Sequence, residues 1–486
     1  MERKVAQGRE PDARREWWSD PAARRWLSVL IGAGLVIAAF AAYAPWKPPR
    51  SSDHFVWQAQ AFLEGEGTID CPEPCDLSRQ DVMPVLDADG FETGRGILPF
   101  PPLPALLITP AVAVWGEDTD QQAIALLLGA LVVGICWWML GRLPIGFRVR
   151  VATTIFFALG TVFWYAAMLG TTWYFAHIVA VGFGLLAVGV AAGSDLKSLG
   201  PEPDEEPFGW LRSLRVNLAD GLRRPRSLID SRQVLAGFLL GLAATARLPV
   251  VFAAPLLILA GSGGSWLGRT VSAAIGGVIP VGALVLFNLA STGQPLNPAY
   301  QYLYVREAIG YPELNYNVEW DIEDPRYLAQ NLGIMLLSSP VVLPARSPDS
   351  LGPGDPYCTE PGAVRRLFER DCPLAVPRDT GMSLLLTSPA YLLALPFVRR
   401  LYGRSRFATG AIVAILLIVL INLMHFSQGW VQFGYRFSND FVFIALPLVA
   451  LAIQRGGWTA RAAPLLIGAS VAVNFWGVAW GNLLGW

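Results

Sequence analysis

Apolar runs on the scale of a bilayer core recur from Leu27 to Leu484, and nothing constrains the fold of this chain more. A helix of about 20 apolar residues crosses the hydrocarbon, and only a helix or a closed barrel satisfies its own backbone there. The chain has 486 residues, 53% of them hydrophobic and 15% charged. Soluble domains carry about 25% charged residues, so the deficit points the same way. The net charge of −1 gives no reason to invoke nucleic acid. The expected fold is an all-α polytopic membrane protein with roughly eleven spans.

Arginines orient the chain, because basic residues collect in cytoplasmic loops. Residues 1–26 form a basic tail with Arg3, Lys4, Arg9, Arg14, Arg15, Arg24 and Arg25, read as cytoplasmic. The first span, Leu27 to Ala44, is too long for a signal peptide and is read as retained. Residues 27–290 form an N-terminal transmembrane module, with an outer loop at 45–120 and a cytoplasmic insert at 194–232. In that insert an acidic patch, Asp204-Glu205-Glu206, precedes a basic stretch, Trp210 to Arg226, suited to anionic lipid. Residues 291–380 make a second outer region, and 381–486 supply the C-terminal transmembrane helices.

The first outer loop has structure of its own. Asp53 to Glu64 reads as an amphipathic helix on the membrane surface, anchored by Phe55, Trp57 and Phe62. Thr68 to Gly96 reads as a polar loop with a turn at Asp89-Gly90. Leu103 to Trp115 is apolar but too short to span, so it is expected as a re-entrant or surface helix. Val234 to Ala260 is interrupted by Thr245-Ala246-Arg247-Leu248-Pro249 and reads as a hairpin with Arg247 at its outer tip. Gly381 to Val398 reads as a span. Four of the five cysteines fall in the outer regions, Cys71 and Cys75 in one and Cys358 and Cys372 in the other. An outer surface is oxidising, so two disulfides are expected, with pairing within or between loops left open. A zinc site is the rival reading, but no histidine stands near either pair.

An Asp just beyond the first span, a Pro101-Pro102-Leu103-Pro104 segment and Trp115-Gly116 occur in that order. Gly237 to Pro249, then Phe287-Asn288 with Gly293-Gln294-Pro295 and Tyr300, then Gly434-Tyr435-Arg436-Phe437 follow in series. This succession resembles the GT-C glycosyltransferases, membrane enzymes such as protein O-mannosyltransferases and the aminoarabinose transferase of lipid A. The resemblance implies a GT-C-like bundle with two long outer loops carrying juxtamembrane helices. It implies a polyprenyl-phosphate sugar as donor, and a glycan, lipid or protein as acceptor. Reaction would invert the anomeric carbon at the outer face of the plasma membrane. Two departures bear on mechanism: Asp53 is followed by His54 rather than a second acid, and the turn Thr171 to His177 carries no carboxylate. No cofactor is implied with certainty, and a divalent metal stays open.

Each candidate residue has a chemical and a bland reading. Asp53 is expected to be the general base, and the alternative is a helix cap. Arg247 lies between apolar spans, where a guanidinium either faces a phosphate or snorkels to the surface. Arg436 and Tyr435 suit a phosphate or sugar contact, against an interfacial aromatic belt. His177 could hydrogen-bond substrate or act in acid–base work, against a satisfied structural histidine. His54 and Arg95 complete the substrate-binding candidates, Arg95 as a further phosphate contact. A non-enzymatic lipid or solute transporter is the second reading, although no internal repeat is visible. A GT-C-like protein that has lost catalysis is the third. The chain contains no P-loop, GxSxG or HExxH.

Overall fold

The computed structural model describes residues 21–199, 228–310, 317, 319–349, 352–402 and 404–484. Most of the basic tail, the acidic patch and the basic Trp210–Arg226 stretch lie outside the described residues.

Helices dominate. In chain order the long ones are α1 (Pro21–Tyr43), α2 (His54–Leu63), α3 (Leu103–Trp115), α4 (Gln121–Leu140), α5 (Phe147–Gly160), α6 (Phe163–Leu169) and α7 (Thr172–Ser194). Then come α8 (Ser231–Ala244), α9 (Leu248–Leu259, its first part 3-10) and α10 (Trp266–Thr292). Next are α11 (Ala299–Gly310), α12 (Leu328–Leu337), α13 (Arg406–Met424), α14 (Asn439–Gln454) and α15 (Trp458–Leu484). Among the described residues, seven helices are long and apolar enough to cross a membrane, with an eighth only if the pair α5–α6, bent by 51°, counts as one span. The expected eleven is therefore not reached by helices of that length. Gly381 to Val398 is one reason: it forms two short helices around a 3-10 segment that starts at Pro389. Proline removes a ladder donor and clashes with the preceding turn, so this stretch does not form a continuous span. Val234 to Ala260 is the other: Gln233, at its start, donates to Leu257 O and Ala260 O at its end, closing the hairpin over two short arms.

The core is centred on α7 and α14, whose spanning windows are 83% and 94% buried. At the periphery lie α1 and α10, each only 17% buried, with Leu30, Ile37, Val278, Ile279 and Leu286 on their exposed faces. Apolar side chains facing out from long helices are what lipid contact requires. The bundle has two unlike ends. At one, the arginine end, Gly146 N donates to Gln454, Ser405 donates to Ser198 O, and Arg406 pairs with Asp195 at 3.3 Å. At the other, the loop end, both long loops gather.

The first loop is less irregular than its sequence suggests. Thr68 to Gly96 contains a three-stranded antiparallel sheet in the order β1 (Ile69–Asp70), β3 (Glu92–Ile97), β2 (Met83–Leu86). The β2–β3 hairpin closes at Asp87, whose carboxylate accepts from Asp89 N and Phe91 N across the Asp89-Gly90 turn. Gly96 is required at the sheet centre, because a Cβ there would sit 2.3 Å from Val82 and 3.1 Å from Cys71. The helix α2 does not lie on a surface either. Phe55, Val56, Gln58, Ala59 and Ala61 are buried, and the helix packs against α3 and the sheet.

Both disulfides close within their own loops, Cys71–Cys75 and Cys358–Cys372. All four cysteines are joined in these bridges, so none of them offers a free thiolate to zinc. The second bridge spans 14 positions. Loop-closure entropy at that span is worth about 3 kcal/mol, so Cys358→Ser should speed protease cleavage between the two positions roughly a hundredfold. Limited proteolysis under oxidising and reducing conditions checks this; equal rates would contradict it.

Candidate active site

Four helices end at the loop end around one carboxylate that the sequence reading passed over. Asp440 stands in the first turn of α14 and is fully buried. Arg247, at the break between α8 and α9, donates to both of its oxygens: Nε to Oδ1 at 3.1 Å and Nη2 to Oδ2 at 2.9 Å. Asn422, near the end of α13, donates to Oδ2 at 3.1 Å. His177 of α7 brings Nδ1 within 3.0 Å of Oδ1. A carboxylate at a helix N-terminus also meets the positive end of the helix dipole. Three helices and the α8–α9 break are thus pinned at one point. Arg247 is occupied by Asp440 through two of its donors, and His177 is buried against the same acid.

Arg436 lies beside this cluster. Its guanidinium and that of Arg247 both lie over the Phe437 ring, at 5.3 and 5.2 Å, and Arg436 also lies 5.6 Å over Tyr174. Gly429 makes room for it: with φ of +97°, it carries no Cβ that would fall 2.6 Å from the guanidinium carbon. Tyr435 is buried, and its hydroxyl makes no hydrogen bond within the protein. Arg436 Nε and Gln432 Oε1 are buried and unpartnered in the same way. Orphaned buried polar atoms are costly unless something polar meets them. They stand beside two guanidiniums.

The residues of the first loop divide. Asp53 occupies the N-cap position of α2 but makes no side-chain capping bond, so the cap reading fails in its simple form. Its Oδ2 accepts from Arg50 Nε at 2.5 Å, while Oδ1 is buried without a partner. Burial pushes the Asp53 carboxyl above its ordinary value, with Arg50 pulling the other way. His54 is buried with Nε2 2.6 Å from Gln80 O and Nδ1 2.9 Å from Thr172 Oγ1. Trp57, Phe100 and Trp173 ring it, with centroids at 4.9, 5.5 and 5.7 Å. Burial drops its pKa to about 4, so it is neutral at physiological pH. Arg95 is elsewhere: on β3 it pairs with Glu66 and Asp70 and donates to Thr68. It belongs to the sheet and not to this cluster.

A second carboxylate escaped the sequence reading. Asp81 precedes β2, is buried, and has a positive φ of 61°. Trp173, Arg306 and Arg436 all act on it electrostatically. Burial pushes its pKa up to about 6 against all three. Asp81 thus belongs to the Arg436 surroundings, whereas the charged neighbours of Asp53 are Arg50, Lys47 and Asp120.

No family model, no curated protein and no solved structure matches this chain. The functional reading therefore stands on the residues themselves.

Proposed function

We propose that the chain is a membrane glycosyltransferase. It moves a sugar from a polyprenyl-phosphate donor to an acceptor hydroxyl on a glycan, lipid or protein, at the loop end of the bundle. In this reading the arginine end faces the cytoplasm, and the loop end faces outward across the plasma membrane. The observation that carries it is the pairing of the Arg247 and Arg436 guanidiniums over Phe437 among buried, unpartnered polar atoms. Guanidinium meets phosphate oxygens through parallel hydrogen bonds, and aromatic faces suit a sugar ring. The lipid tail has a place too. Leu106, Leu107, Val114 and Trp115 are exposed on α3, beside the first loop.

Arg436 is the cleaner phosphate ligand of the two, because Asp440 already holds Arg247. Its removal should cut transfer on the order of a hundredfold, the usual cost of one charge-stabilising donor. Purified protein in proteoliposomes, given labelled farnesyl-phosphate mannose or farnesyl-phosphate glucose and a membrane acceptor fraction, reads this directly. Wild-type protein that is folded yet transfers neither sugar rejects the reading.

One observation favours a second reading. His177, Asp440 and Arg247 form an ionisable cluster buried among spanning helices, as a proton-coupled transporter would carry. Uptake of solute driven by a pH gradient, without covalent transfer, would mark that alternative.

A further inference from the structure

We propose that Asp81, rather than Asp53, receives the proton of the acceptor hydroxyl, in a subsite formed by the first long loop with Trp173, Arg306 and Arg436. The proposal rests on the transferase reading above.

Its first support is position. The chain around Asp81 is fixed against the start of α7, because Gln80 O accepts from His54 Nε2 at 2.6 Å and His54 Nδ1 lies 2.9 Å from Thr172 Oγ1. The next residue, Val82, is fully buried and packs on the sheet at Gly96. An aspartate in a left-handed turn ordinarily points to water or bonds its own backbone. Asp81 instead is buried, with Trp173, Arg306 and Arg436 acting on it. A residue held at positive φ inside a packed loop is a signature of a site that needs the side chain aimed one way.

The second support is company. Arg436 acts on Asp81, and also on His177, Tyr174 and Tyr300. Asp81 is therefore the loop carboxylate on the guanidinium side of the site. The groups that act most on Asp53 are Arg50, Asp120 and Lys47 instead. The ring of Trp173 packs against His54 and Phe100. It offers an aromatic face beside a carboxylate, the pairing that binds a sugar hydroxyl.

The step balances without any added reagent. The acceptor oxygen forms a bond to the anomeric carbon as the bond from that carbon to the donor phosphate oxygen breaks. The acceptor proton passes to the Asp81 carboxylate, and the released polyprenyl phosphate leaves with the electron pair, its charge met by Arg436. The groups facing Asp81 are Trp173 from α7, Arg306 from α11 and Arg436. Burial holds nearby His54 down at about 4, well below the working range. An acid limb near pH 6 would thus belong to Asp81 itself.

The test compares wild type, Asp81→Asn and Asp53→Asn in the proteoliposome assay with labelled farnesyl-phosphate mannose and farnesyl-phosphate glucose, between about pH 5 and pH 8. Asparagine tolerates positive φ as aspartate does, so the loop should keep its form. Asp81→Asn should lower kcat by about 100-fold to 10,000-fold with donor KM within a few-fold, the range of a lost general base. Asp53→Asn should keep at least a tenth of the activity. Wild-type kcat/KM should rise with pH through about 6, where the carboxylate becomes free to accept a proton. If Asp81→Asn fails to fold, that profile decides alone. Near wild-type activity in Asp81→Asn, or a profile flat through pH 6, overturns the assignment while leaving the transferase intact. Wild-type protein inactive with both donors rejects the transferase reading, and the Asp81 assignment falls with it.

Discussion

Asp440→Asn should destabilise the protein by about 3–5 kcal/mol and leave little folded material after detergent extraction, because it strands the Arg247 charge inside the bundle. The wild-type carboxylate meets Arg247 through two hydrogen bonds and also meets Asn422 and His177. An amide of the same shape keeps one acceptor but loses the counter-charge. Arg247 is only 17% exposed, so water cannot replace it. The companion variant separates structure from chemistry. Replacing a whole buried pair by apolar residues of similar size is often neutral, so Arg247→Leu with Asp440→Leu should recover most of the lost stability. The coupling energy from the complete double-mutant cycle measures the pair. If Asp440→Asn alone melts like wild type, as read by thermal unfolding in detergent, the cluster is not the clamp described above.

The same cluster shows where sequence reading reached and where it stopped. Arg247 and His177 were legible because a cation or imidazole flanked by apolar runs is expensive and stands out. Asp440 is equally expensive but directly precedes the apolar run Phe441 to Ile453, where an acid reads as part of the loop. The missing signal was charge balance: two buried basic candidates with no acid between them require a partner. Asp81 was hidden differently. Nothing in Arg79-Gln80-Asp81-Val82 marks a buried carboxylate, and only the packing of the folded loop encloses it. The sheet itself was half visible, since Asp89-Gly90 between residues of high strand preference is a hairpin signal. Several long helices were legible as helices, because apolar runs of that length depend on no tertiary partner. Gly381 to Val398 misled for the opposite reason: its composition suits a span, but Pro389 and Pro396 break the ladder that a span needs.

Gly276→Val should abolish assembly of the α8–α10 pair and, with it, any activity. A Cβ at Gly276 would fall 2.0 Å from Val234 O, and one at Gly237 would fall 2.1 Å from Ala273 O. Both contacts are with backbone, which cannot rotate away. Membrane helices associate largely through such close approach, since lipid offers no hydrophobic drive between them. Overpacking a core usually costs about 1–3 kcal/mol, and a clash with a helix backbone should exceed that range. The consequence reaches the site because α8 ends just before Arg247, so a displaced α8 withdraws the guanidinium from Asp440. Gly282→Val supplies the control on the same helix, where a Cβ meets nothing within 4 Å. Its melting temperature should stay within a degree or two of wild type, the usual effect of a surface substitution. Comparable losses in the two variants would mean that valine itself, and not the crossing of α8 and α10, is what the helix rejects.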